Sequence, residues 1–351
     1  MSVSCNVASS ELACYFPFLN KSALYLSRRG FLLDAVLSDK TAVERAVERL
    51  RKSLTREPFN PRLCIDASEE IAVAARLALY MAAATKNQYV LRRFADAESK
   101  SFRELLKKIP GIQDPRCKIE IARDLGVDAR PAHEVVSGIV VAVYNTPIAV
   151  RWTSYLRYAP QDPYWAMINR PVIKGWVIVP INDFERLLEE AYEERIFQIV
   201  RDNELAVGRV AASADLSQLE DVLKRYAQRP LQMPQHTVKG GDPPCMKAIL
   251  DALKNGENLP HTARFAITTY LLWRGWEVDQ VVDLFRTAPD FNEKITRYQV
   301  QHIAGQTGGR KQYTVPSCET MNSWGLCPTN LGCGVKNPVQ YGRRAAVKKS
   351  S

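Results

Sequence analysis

Histidine is scarce, with four among 351 residues, and no D-x-D triplet occurs anywhere in the chain. Two-metal nucleotidyl transfer needs converging carboxylates, commonly supplied by such a triplet on a strand, so no polymerase site is expected here. The phosphate loop G-x-x-x-x-G-K-[ST] is missing too; residues 305–311 carry the glycines but neither the spacing nor the hydroxyl, which excludes nucleotide hydrolysis by that route. Long apolar runs are also lacking. The best of them, residues 71–84, is broken by Arg76 and falls short of the ~18 residues a membrane helix needs. No basic flank followed by an apolar run opens the chain, so an intracellular protein without a membrane partner is expected.

Acidic residues almost vanish toward the C-terminus. From Lys294 to Ser351 there are nine Lys and Arg (294, 297, 310, 311, 336, 343, 344, 348, 349) against the single acid Glu319, so this stretch carries nine minus one, or +8, of the formal +10. A polyanion such as nucleic acid is the natural partner of so lopsided a segment. For Arg343 to Lys349 a solvated, solubilising tail is an equal reading.

Eight cysteines are present. In a reducing compartment they do not read as a disulfide framework, and metal binding or plain burial is the expectation. Cys5, Cys14, Cys64 and Cys117 are scattered among apolar neighbours, whereas Cys245, Cys318, Cys327 and Cys333 gather in the last third. The last three are spaced C-x8-C-x5-C, without the tight pairs of a structural zinc site and without a histidine nearby. Four thiolates delivered singly from loops, the third followed by Pro328, suit a cubane iron–sulfur cluster better.

Hydrophobic periodicity divides the chain. Val43, Ala46, Val47, Leu50 and Leu54 make one helical stripe, residues 69–85 read as a more buried helix, and Phe102 to Ile109 mark another, stopped by Pro110-Gly111. Residues 135–144, 148–158 and 172–179 are rich in Val, Ile, Trp and Tyr and read as three strands. A helix follows, with Asn182 as N-cap and Glu185 at the capping-box position. Periodicity lapses from Glu204 to Asp215, which is read as a linker between an N-terminal domain (1–203) and a C-terminal one (216–351). In the latter, Pro260 opens a helix closing at Gly275, and Val278 to Phe285 form the next. The expected fold is mainly α: a helical domain with a small inserted sheet, then a helical domain with loop-borne cysteines.

Two basic elements lie between the first and second clustered cysteines. His261 and Arg264 share a face at a helix N-terminus, where free N–H groups favour phosphate. Lys294, Arg297, Tyr298, Gln301 and His302 recur at helical spacing, a cationic and aromatic stripe suited to backbone phosphate and to stacking. A capping His, a solvated Arg and an ordinary charged helix face are the plain alternatives. Arg310 and Lys311, in a glycine-rich loop, are further phosphate candidates. Trp273, Trp276 and Trp324 are expected mostly in the core.

The runs PPCMKAIL, LPHTARFAITTYLLWRGW, ITRYQVQHIAGQTGGRKQYTVPSCETM and GLCPTNLGCG together resemble the C-terminal domain of the archaeal and eukaryotic DNA primase large subunit. That resemblance covers about 110 residues strongly and is looser over residues 1–203. It implies a 4Fe–4S cluster on Cys245, Cys318, Cys327 and Cys333, and no polymerase site on this chain. It implies also a catalytic small subunit as partner in a heterodimer. The N-terminal domain would dock that subunit, while the C-terminal domain binds single-stranded template and the primer 5′-triphosphate. The matching positions are His261 and Arg264 for the triphosphate, and Tyr298, Gln299 and His302 for the template–primer junction. The site of action would be the cytoplasm and nucleoid in an archaeon or the nucleus in a eukaryote. The rival from another class is a stand-alone iron–sulfur DNA-repair nuclease or glycosylase. It would need its own acidic or lysine group, and Glu98-Ser99-Lys100, the one E-x-K considered, lies in a helical stretch.

Overall fold

The computed structural model describes residue 5 and residues 7–136, 147–160, 163–213, 241–307, 313–328 and 333–341. The chain is mostly helical and divides into two compact units; among the described residues, the first runs to Ser213 and the second begins at Gly241.

The first unit opens with α1 (Ser9–Tyr15), α2 (Asn20–Arg28), α3 (Leu33–Ser38), α4 (Lys40–Thr55), α5 (Leu63–Asp66), α6 (Ser68–Ala84), α7 (Gln88–Lys108) and α8 (Pro115–Asp124). Asp39 starts α4 by accepting from the Thr41 and Ala42 N–H groups, and Arg56 ends it in the left-handed conformation. As its stripe predicts, Ala46, Val47, Leu50 and Leu54 are buried. Helix α6 is buried on most sides, through Ala72, Ala75, Leu77, Ala78, Leu79, Met81 and Ala82, because its small residues let α4 pack closely.

The sheet contains β1 (Ala129–Pro131), β2 (Ile148–Arg151), β3 (Val172–Ile173) and β4 (Trp176–Val179), antiparallel throughout in the order β1-β2-β4-β3. Register pairs Ala129 with Val150, Ile148 with Val179 and Val172 with Val177. Ile148, Val150, Val177 and Val179 turn one face into the helical core, while Ala149, Trp176 and Ile178 turn the other onto Ala132 and Val136. Lys174 and Gly175, both at positive φ, close the tight β3–β4 turn.

Three local expectations are corrected here. Residues 148–158 are a strand only to Arg151; Trp152–Tyr158 is a helix, α9, whose Tyr155 and Tyr158 are buried. Of the expected strand at 135–144, Val135 and Val136 follow a short 3-10 turn and residues 137–144 lie outside the described residues, whereas β1 was not foreseen. The long helix α10 (Ile181–Asp202) starts two residues early, with Pro180 rather than Asn182 at the N-cap and no side-chain cap. Glu185 is not in a capping box: it lies buried and meets the equally buried Lys118 at 2.6 Å. A buried ammonium demands a carboxylate partner more strongly than a helix end demands a cap.

Helix α10 packs along α7, where the Phe102 and Tyr192 rings stack with centroids 4.1 Å apart. Beside them Arg49 makes a two-pronged pair with buried Glu98, at 3.0 and 2.7 Å, and Ser53 donates to the same carboxylate. Residues 204–213, expected as linker, form a helix, α11 (Glu204–Ser213), that packs on α6 and buries Val210 completely. Small residues blur its periodicity because close packing, not bulk, seats it.

The N-terminal cysteines are a further correction. Cys14 pairs with Cys64, and Cys5 with Cys117, as disulfides across sequence separations of 50 and 112. No local spacing could reveal such partners; the fold brings α1 onto α5 and residue 5 onto α8.

The second unit consists of α12 (Pro244–Lys254), α13 (His261–Trp273), α14 (Val278–Phe285), α15 (Glu293–Ile303) and α16 (Cys318–Ser323). Its core is built from Met246, Leu253, Ala266, Ile267, Tyr270, Val281, Val282, Phe285, Val300 and Met321. Gly275, at φ +84°, ends the segment after α13 as expected. Among the described residues no helix is long and apolar enough to cross a membrane.

Candidate functional site

The four C-terminal cysteines occupy two settings. Cys245 lies in the first turn of α12 and Cys318 is the first residue of α16, so these two open helices rather than sitting in loops; Cys327 and Cys333 are in loops, as expected. Hydrogen bonds anchor the segments that carry them. Asp242, just before Cys245, accepts from the Tyr270 hydroxyl at 3.0 Å and pairs with Arg274, tying the start of α12 to α13. The Cys318 N–H donates to Lys336 O at 3.0 Å, just past Cys333, and Asn337 donates to Val315 O.

Electrostatics link the thiols. Burial pushes the Cys245 thiol up to about 11; the Met246 N–H opposes this in part, and the Cys327 and Cys318 charges add to it. Cys318 is likewise raised, first by burial and then by Cys327 and Cys333. Each thiolate therefore feels its neighbours as like charges. Among the described residues no three His, Cys, Asp or Glu side chains stand in a metal-holding arrangement. Four free cysteines with neither histidine nor carboxylate among them supply the donor type of an iron–sulfur cluster.

The basic residues stand on two packed helices, α13 and α15. His261 is exposed at the first position of α13. Arg264, one turn on, is not a loose cation: its guanidinium donates to Leu259 O at 2.8 Å and Asn258 Oδ1 at 2.7 Å, and pairs with Asp290 at 2.6 Å. On α15 Lys294 and Gln299 are exposed and Gln301 is half-buried. Arg297 pairs with Asp279 and, at 3.5 Å, with Glu293; the bond from Asp279 raises its pKa further. Tyr298 is 61% exposed, and its ring lies nearly parallel to the His302 imidazole, centroids 6.3 Å apart. Arg310 and Lys311 lie outside the described residues.

Sequence reasoning missed three participants. Asp290 and Asp279 are the carboxylates that pair with the two arginines, and they come from outside the helices that carry them. Tyr313 places its hydroxyl 3.3 Å from His302 Nε2. A tyrosine two residues past the Gly-Gly-Arg-Lys stretch was the available signal. The tryptophans divide: Trp276 is buried and Trp324 packs against the core, whereas Trp273, expected in the core, is 40% exposed.

Fold and site thus describe a mainly helical, two-unit protein, with an antiparallel sheet in the first unit and, in the second, four free thiols and a packed helix pair that carries basic and aromatic residues. Residues 27–209 match the N-terminal domain, and residues 235–342 the C-terminal domain, of the eukaryotic and archaeal DNA primase large subunit. The DNA primase large subunit PriL of Methanocella arvoryzae is 32% identical over 95% of this chain and 88% of its own length. That of Methanococcoides burtonii is 31% identical over 96% and 93%. The Methanopyrus kandleri protein of the same name is 48% identical over 53% of this chain and 44% of its own. The chain belongs to the DNA primase large-subunit family. The repair-enzyme alternative loses its residues as well, since Glu98 is buried against Arg49 inside the first unit.

Proposed function

We propose that this chain is the regulatory, non-catalytic large subunit of a DNA primase, partnered in a heterodimer by a catalytic small subunit. The observation that carries the reading is the packing of α13 on α15 in the second unit, where Phe265, next to Arg264, and His302 both meet the Tyr313 ring, within a chain matched in order by both family domains. His261 and Arg264 would take the 5′-triphosphate of the initiating nucleotide. Arg297, Tyr298, Gln299 and His302 would hold the template–primer junction, with Arg310 and Lys311 adding phosphate contacts. Cations satisfy the charge of phosphate, and a ring satisfies a base or sugar without reading sequence.

Cys245, Cys318, Cys327 and Cys333 would hold a 4Fe–4S cluster, whose bonds to iron compensate the thiolate charge and fix the segments that carry them. The chain's own residues do the positioning. Before the first bond exists, two nucleotides must be held together on a template, which is an entropic cost that a preorganised cradle lowers. The attack of a 3′-hydroxyl on an α-phosphate belongs to the small subunit.

The test uses the full chain reconstituted with its small subunit. His261→Ala with Arg264→Ala should abolish dinucleotide synthesis on bare template while sparing extension of a preformed primer. Unchanged initiation would sink the assignment.

A further inference from the structure

We infer that Tyr313 is an additional nucleic-acid contact, its hydroxyl oriented by His302 so that its proton points out to the bound strand. The inference rests on the binding face proposed above and adds a residue to it.

Tyr313 is a junction between the two helices. Its N–H donates to Ile303 O at 3.0 Å, pinning the returning chain to the last residue of α15. Its ring meets His302 at 5.6 Å on one side and Phe265 edge-on at 5.6 Å on the other. Phe265 directly follows Arg264 and also meets Trp324 edge-on at 6.2 Å, next to the segment that α16 begins. The series Tyr298, His302, Tyr313 therefore runs from α15 toward the arginine end of α13, and its two outer members are 61% and 42% exposed.

The direction of the hydrogen bond follows from the imidazole's other nitrogen. His302 Nδ1 is buried with no partner. Were the Tyr313 hydroxyl to donate to Nε2, the neutral ring would carry its proton on Nδ1, as a buried orphan donor. Buried unpaired N–H groups are rarer than under-used acceptors. The favoured arrangement has Nε2–H donating to Tyr313 Oη. The hydroxyl hydrogen is then left free, on an exposed ring, to donate outward to a phosphate oxygen or a base acceptor. A tyrosine so held loses little freedom on binding, because the phenol is braced by Phe265 and the backbone.

The experiment is a double-mutant cycle in the full chain, with affinity measured for a primed template carrying a 5′-triphosphate. Tyr313→Phe keeps the ring and should weaken binding about 3- to 10-fold, the range of one neutral hydrogen bond. His302→Ala should do at least as much. Adding Tyr313→Phe to His302→Ala should cost little more, since the orienting partner is already gone. Wild-type affinity for Tyr313→Phe, or full additivity in the cycle, overturns the inference. Tyr298→Ala separates this from failure of the face itself. If that variant binds more weakly while Tyr313→Phe does not, only the role of Tyr313 is wrong; if neither matters, the binding face falls with it.

Discussion

The Arg264 guanidinium meets the Asp290 carboxylate at 2.6 Å, with both side chains about three-quarters buried. With Leu259 O and Asn258 Oδ1 as further acceptors, the arginine is fixed in direction before any ligand arrives. The fork geometry is what a lysine cannot reproduce. Arg264→Lys should therefore lower affinity for a 5′-triphosphate primer about tenfold, while a 5′-hydroxyl primer of equal sequence stays within about twofold. Equal losses for both primers in a binding titration would show that Arg264 does not read the triphosphate.

Arg297 is held differently. Asp279 is exposed, so it competes with phosphate for the guanidinium without being needed for the fold. Asp279→Asn should strengthen binding of primed template about two- to threefold at low salt, and the gain should fade near 0.5 M salt as screening removes it. A salt titration of both proteins checks this; weaker binding by the variant would mean that Asp279 positions Arg297 rather than competing for it.

Much of the architecture was legible from the chain, and the failures have physical causes. Helices α4, α6 and α7 bury the stripes that their spacing marks. Trp152–Tyr158 was misread because aromatic residues suit strands and helices alike once tertiary packing seats them, as Tyr155 is seated here. Glu185 was misread because its partner Lys118 lies 67 residues away. In the site, His261, Arg264 and the α15 stripe follow from helical period and family likeness. Asp290, Asp279 and Tyr313 come from neighbouring segments, so only the fold brings them in.

The thiols should sort by unit. In denaturant without reductant, an alkylating reagent should modify four of the eight cysteines in iron-free protein, because Cys5–Cys117 and Cys14–Cys64 are bonded. Reduction should then release all eight and lower the melting temperature, since opening loops of this length frees several kcal/mol of chain entropy, about 5 for the longer. Eight modified cysteines before reduction would refute the bonded pairs.

The other four cysteines predict colour. Protein purified without oxygen should be brown and hold about four irons per chain. Serine at Cys245, Cys318, Cys327 or Cys333 should each lower that content, whereas serine at Cys14 should not. Iron bound equally by all these variants would remove the four-thiolate assignment.

Glu193 sets a pH dependence in the first unit. Burial pushes its carboxyl up to about 8, reinforced by the charges of Glu190, Asp96 and Glu189 and opposed by Arg186. The folded protein therefore holds a proton that the unfolded chain releases near pH 4.5. That proton's contribution to stability is full below about pH 4.5 and is lost as pH rises through about 8, the opposite of a carboxylate held in a salt bridge. Glu193→Gln mimics the protonated form. It should leave stability at pH 5 almost unchanged and raise it by about 2 kcal/mol at pH 8.5, less than the full displacement gives at about 1.4 kcal/mol per unit, because the site relaxes when charged. Urea unfolding at the two pH values, followed through the first unit's tyrosines, measures the difference. An equal effect at both would show that burial does not hold the proton on Glu193.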